Sequence, residues 1–241
     1  ALDHLLPWWL TFSVAVVAAA AFGAGWALLP AWLQATRGSH IVITTIMFNF
    51  IASALMVYLL VDVLNPPGSM QPETRGFAPG GVIPQFRIWL PDLGQAPLNV
   101  AALLAVAALV GVWALIWRTR LGYEIRTFGA NPTAAVYAGV SGTRITVVAM
   151  LISGGLAGLM SVNEVMGAQG RLYLDFTAGA GFVGIAVALM GRAHPVGILF
   201  AAILFGALYQ GGAELAFEMP AITRDMIVVI QGLVILFAGA L

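Results

Sequence analysis

Few side chains in this 241-residue chain could do chemistry, and their spacing limits what kind. Thr45, Asn49 and Ser53 recur every four residues in an apolar run, so a helix places them on one stripe. Polar groups are expensive in hydrocarbon, so the stripe should face protein or water. It reads either as a hydrogen-bonded seam between helices or as the lining of a substrate path. Asn163 and Glu164 sit near the end of another apolar run, where an ionisable residue marks either a functional site or a carboxylate that reaches water. Gly179, Gly181 and Gly184 fit GxGxxG, but neither a preceding strand nor a following acid accompanies them. They read as close helix packing, as do Gly154 and Gly158 with Ser153 and Ala157 beside them. The sequence has no lysine and no cysteine, which excludes a phosphate-binding Walker A loop, a Schiff base, thiolate catalysis and cysteine metal sites. His4, His40 and His194 form no HExxH, no serine sits in GxSxG, and no metal-ligand cluster stands out.

The elements that must position these residues follow from composition. Hydrophobic residues make up 61% of the chain and charged residues 8%, against about a quarter charged in soluble domains. Net charge is zero. A soluble enzyme, a disordered chain and a nucleic-acid binder are excluded, leaving an all-α, polytopic bundle of transmembrane helices in a lipid bilayer. A span needs roughly 20 apolar residues. The runs are Trp8–Leu33, Ile41–Leu64, Leu98–Trp117, Ile145–Ala168, Val196–Gly211 and Met226–Leu241. Ala178–Met190 is too short to cross unaided and reads as a half-helix or a helix buried among others. Asn65–Pro97 is a long, proline-rich loop. Arg118, Arg120, Arg126 and Arg144 cluster in one connection, which places it in the cytoplasm. Arg37 and Arg192 fall on the same side by alternation.

That connection holds the most informative stretch. Asn131 suits a helix N-cap, Pro132 the first helical position, and Gly139 a stop after Thr133–Ala138. A helix this short does not persist alone. It is either a surface connector or a short cytoplasmic docking helix that a motor subunit pushes.

The run Gly129-Ala-Asn131-Pro132-Thr-Ala-Ala-Val-Tyr137-Ala-Gly139 resembles the cytoplasmic coupling region of permease subunits of bacterial binding-protein-dependent ABC importers. The resemblance is to the simple-sugar and nucleoside group, relatives of the ribose permease. Thr36–Asn49, Ser153–Gly158 and Gly181–Gly191 match that group in the same order, although His40 stands where the family has Glu. The resemblance implies a permease in the bacterial cytoplasmic (inner) membrane that lines the path and hydrolyses nothing, so not an enzyme. Its implied partners are a separate ATP-binding subunit that holds ATP and Mg, a second permease subunit in a homo- or heterodimer, and an extracytoplasmic substrate-binding lipoprotein landing on the long outer loop. It implies no cofactor in this chain and no nucleic-acid partner. Thr45, Asn49, Ser53, Asn163 and Glu164 are then the substrate-path candidates. Arg126, Gly129, Asn131, Pro132, Ala134, Ala135 and Tyr137 are the ATPase-coupling candidates.

A branched-chain amino-acid permease shares the fold and is the nearest alternative. An intramembrane enzyme using Glu164 and His194 is opposed by their placement near opposite faces, and a non-transporting scaffold is opposed mildly, by the polar stripe and an ionisable residue inside the bundle. The sequence also reads as one permease domain over residues 1–241, a fragment lacking N-terminal helices and the extreme C-terminus.

Overall fold

A computed structural model describes residues 7–86, 98–177, 179–218 and 224–239. Among these residues every regular element is helical, apart from two isolated bridges, Glu73 with Tyr173 and Gln85 with Asn99. Apolar runs in lipid must satisfy their own backbone groups, and a helix does so within one segment. The helices are α1 (Trp8–Arg37), α2 (Ile41–Tyr58), α3 (Ala101–Arg118), α4 (Arg120–Ala130), α5 (Pro132–Tyr137), α6 (Gly142–Ser161), α7 (Ala180–Met190), α8 (Pro195–Glu218) and α9 (Arg224–Gly239). α2 and α6 continue as π-helix, over Leu59–Val63 and Val162–Gln169. Trp8–Arg37, Ile41–Val63, Ala101–Arg118, Gly142–Gln169 and Pro195–Gly212 are long and apolar enough to cross a membrane.

The expected runs became helices with ends moved by a few residues. The expectation missed α4, because its weakly apolar, charged sequence carries no spanning signal. Thr119 caps it, accepting the Gly122 N–H at 3.1 Å. The contacts divide the chain into two compact units, residues 1–176 and 177–241.

In the first unit α1 and α6 make the most extensive helix pair, and they run antiparallel. Gly23 meets Gly154 and Gly158, Ala27 meets Gly154, and Ala19 meets Gly158. A Cβ on Gly158 would collide with the Ala19 carbonyl oxygen, and one on Gly154 would lie 2.5 Å from the Ala27 Cβ. This is the small-residue packing expected of Gly154 and Gly158, and it lets two backbones approach where lipid offers no hydrophobic drive. At one end of this pair Ile83, Ala101, Val162 and Met166 form a buried cluster, with Phe12, Val16 and Phe77 packed around it.

In the second unit α7 turns back into α8 through Gly191–His194, where Arg192 and Ala193 both hold φ near 53°. Gly191 and Gly197 touch at the turn, and Ala186, Val187, Ala201 and Phe205 form its core. The packing expected of Gly181 and Gly184 is not found within the described residues: nothing lies within 4 Å of a Cβ built on either. Their neighbours Phe182 and Ile185 are exposed, so this face of α7 carries no intrachain contact that would demand glycine.

The seam predicts opposite signs for two substitutions in one protein. Gly158→Ala should lower stability by about 1–3 kcal/mol through overpacking. Gly25→Ala, with nothing within 4 Å of the new methyl, should raise stability by about 0.5–1 kcal/mol through helix propensity. Thermal unfolding of the purified protein in detergent reads both, and equal effects would show that the seam is not tight.

Candidate functional site

Three clusters deserve description, and the first lies between α1, α2 and α6. A cavity of about 390 Å³ is lined by Gly23, Trp26, Ala27 and Pro30 of α1, Thr45, Phe48 and Asn49 of α2, and Met150, Ser153, Gly154, Ala157 and Gly158 of α6. Trp26 and Phe48 meet edge to face, ring centroids 5.7 Å apart. The small residues of the α1–α6 seam leave the space. The expected polar stripe divides here. Thr45 and Asn49 line the cavity and Ser53 does not, although Asn49 and Ser53 are both exposed. Residues four apart drift about 40° per step around a helix, so the third member of the stripe leaves the face of the first. The Thr45 hydroxyl donates to its own helix, to the Ile41 and Val42 carbonyls at 2.9 and 3.1 Å. Trp26, Phe48, Pro30 and Ser153 were not anticipated. The signal available was a tryptophan and a proline deep inside a span, away from the ends where tryptophan usually anchors.

The second cluster ties the far end of α6 to the loop after α2. Arg171 pairs with Glu73 at 2.8 Å, the Thr74 N–H donates to the Leu172 carbonyl at 2.8 Å, and the Ile83 N–H donates to the Met166 carbonyl at 3.0 Å. The last carbonyls of a helix lack intrahelical donors, and this loop supplies them. Asn99, buried, is the joint. Its Oδ1 accepts the Ala101 N–H at 2.8 Å at the start of α3, and its Nδ2 donates to Asn163 Oδ1 at 3.0 Å. Gly167 makes room, since a Cβ there would lie 2.5 Å from Asn99 Nδ2. Asn163, a substrate-path candidate, accepts this bond from the start of α3. Glu164 beside it is half-buried and lines neither the cavity above nor two others at this end. Arg87 and Asp92 of the expected loop fall outside the described residues.

The third cluster is the α4–α5 connection. Asn131 Oδ1 accepts the Ala134 N–H at 3.0 Å, Pro132 opens α5, and Gly139 closes it with φ 85°. The cap, the first helical residue and the stop are those expected. Arg126, Gly129, Asn131, Pro132 and Ala134 are exposed, and Tyr137 is 89% exposed. Ala135 is fully buried and seats α5 on its own chain. Across the α4–α6 approach Phe128 lies under Gly142, where a Cβ would come within 2.8 Å of its ring. Arg118 lies over the Trp113 ring at 5.4 Å.

His194, in the second unit, accepts the Val196 N–H at its Nδ1 (3.3 Å), a helix-capping role. Among the described residues no group of three or more histidines or carboxylates could hold a metal ion.

Residues 3–239 match the protein family described as branched-chain amino acid transport system / permease component. The chain is 36% identical to the glucose ABC transporter permease of Haloferax volcanii over 97% of its length and 60% of that protein. It is 34% identical to the nucleoside ABC transporter permease NupB of Lactococcus lactis, over 91% of this chain and 59% of the relative. It is 32% identical to the guanosine ABC transporter permease NupP of Bacillus subtilis, over 97% of this chain and 66% of the relative. The chain therefore spans about 60% of the length of these relatives. No solved structure matches it.

The Asn99–Asn163 joint predicts that Asn163→Ala leaves a buried amide donor without its partner, a loss of about 1–3 kcal/mol. Resistance to SDS-driven unfolding should fall accordingly. An Asn163→Ala protein as resistant as wild type would mean the bond does not hold α6 to α3.

Proposed function

This multi-pass membrane protein belongs to the permease family named above, and from that premise we propose that it is the transmembrane subunit of an ATP-driven importer of nucleosides or simple sugars. The observation that carries the reading is α5. It is a capped helix of six residues, too short to persist alone, with Tyr137 almost fully exposed and Arg126 also exposed on the arginine-rich connection. A chain with no lysine has no Walker A loop, so motion must reach it from a separate subunit that binds ATP and Mg. α5 is the surface through which that subunit acts, with Ala134, Val136 and Tyr137 forming the contact and Asn131, Pro132 and Ala135 holding it in place. The cavity at Thr45 and Asn49 belongs to the path.

A second permease subunit completes the path, and an extracytoplasmic binding lipoprotein delivers the ligand to the outer loop. The whole stands in the bacterial inner membrane, with α5 in the cytoplasm. The family description names branched-chain amino acids, the alternative substrate class. The printed names of three similar relatives, which specify glucose, nucleoside and guanosine, favour the first class.

Tyr137→Glu places a charge on the contact without touching the buried Ala135. ATP-driven uptake in cells should fall about fivefold or more, the effect of disrupting a central contact residue. Membrane levels of the permease should stay within about twofold, as for an exposed substitution. Unchanged uptake, or cross-links from Tyr137 to an extracytoplasmic protein, would refute the docking assignment.

A further inference from the structure

The cavity between α1, α2 and α6 has features that a packing defect would not need. Counting at 1.5 Å per residue along the spans Trp8–Arg37, Ile41–Val63 and Gly142–Gln169, Trp26, Asn49 and Ser153 lie about 4–5 Å from the middle of their spans. All three are displaced toward the same end, since α1 passes into α2 through only Gly38–His40 and α6 runs antiparallel to α1. An indole, a carboxamide and a hydroxyl thus share one depth near the middle of the spans. Small-molecule sites in transporters lie near this depth. The volume of about 390 Å³ falls within the roughly 300–1,000 Å³ of ligand pockets.

One side chain and one backbone carbonyl at this cavity lack a partner within the described chain. Asn49 makes no hydrogen bond among the described residues, whereas the other polar residue of α2 on this cavity, Thr45, bonds its own helix. Pro30 has no N–H, so the Trp26 carbonyl four residues earlier loses its ordinary helical donor. Both Trp26 and Pro30 line the cavity. A carboxamide offers two donors and an acceptor.

The balance of lining groups discriminates between ligands. A hexose carries hydroxyls around its whole edge, and each one buried without a partner costs free energy. The cavity offers Thr45, Asn49 and Ser153 besides the indole, and Thr45 has already spent its donor. A nucleobase has two apolar faces and one hydrogen-bonding edge. Aromatic walls suit its faces, and a carboxamide reads its edge with paired bonds.

We propose that this cavity is a nucleobase-reading site on the path, where the base stacks against the wall made by Trp26 and Phe48 and presents its polar edge to Asn49. The ribose then points out of the cavity toward the rest of the path. This rests on the reading of the chain as a nucleoside or sugar permease, and it selects the first of the two.

The test uses the full-length permease with its ATPase and binding protein in liposomes, loaded in turn with labelled guanosine, glucose and leucine. Guanosine import by the wild type is expected. It should fall about tenfold or more in Asn49→Leu and in Trp26→Ala, as when a site loses a polar group that reads its ligand or the ring it stacks on. Trp26→Phe, which keeps a stacking ring, should stay within a few-fold of wild type. Leu28→Ala, on the opposite side of α1, should match wild type. Import of glucose without guanosine overturns the inference and leaves the permease reading standing. So does guanosine import that survives both variants. Import of leucine alone, or of nothing, overturns both.

Photolabelling of the wild-type complex with 8-azidoadenosine needs no variant to fold. Label is expected on the α1 and α2 peptides that carry Trp26 and Asn49, and label only elsewhere overturns the proposal.

Discussion

The contact of α1 with α6 sets the geometry on which the rest of the first unit depends. It is a contact of backbone with backbone, because Gly23, Gly154 and Gly158 present nothing larger than hydrogen. In lipid there is no water to expel, so two helices gain by packing closely rather than by hiding apolar surface. Close approach fixes the axial register of the pair, since a slip along either helix would bring larger side chains onto glycine positions. The register in turn sets Ser153 level with Trp26, and sets the end of α6 where the loop after α2 can reach it. The same small residues leave the space that Thr45, Phe48 and Asn49 border from α2.

The two ends of α6 are held by opposite means. At its start, Ser141 accepts the Arg144 N–H at 3.4 Å and Gly142 rests on Phe128 of α4. At its far end the helix widens into a π segment and is closed by Gly170 in the left-handed region. Widened turns shift which carbonyls find donors within the helix, and here the loop and Asn99 take up the difference. The result joins residues 98 positions apart in sequence, as in the Arg171–Glu73 pair. An exposed pair of that kind adds little stability by itself. Here it belongs to a set of backbone bonds and a buried amide joint, and the set fixes the loop's place.

The connection between α3 and α6 shows how local chemistry and burial divide the work. Asn131, Pro132 and Gly139 specify the start and stop of α5 whatever surrounds them. Whether that helix is a connector or a contact depends on which side chains are covered, and the covered one is Ala135. Tyr137, two residues on, is left 89% exposed.

Several features needed only the chain itself. The apolar runs, the lack of lysine and cysteine, the arginine cluster and the Asn-Pro cap are properties of residues near one another in sequence, so composition and helical period suffice to read them. The helical class, the spans, α5 and the small-residue role of Gly154 and Gly158 were legible for that reason. Other features depend on which distant surfaces meet. Asn49 comes to border the space that α1 and α6 leave, Asn163 meets Asn99, and Trp26 comes to stand beside Phe48. None of these follows from spacing, because a helix offers many faces and sequence alone does not choose among them. The choice was made by the register of α1 on α6, a backbone contact between residues more than a hundred positions apart, and only the folded chain displays it.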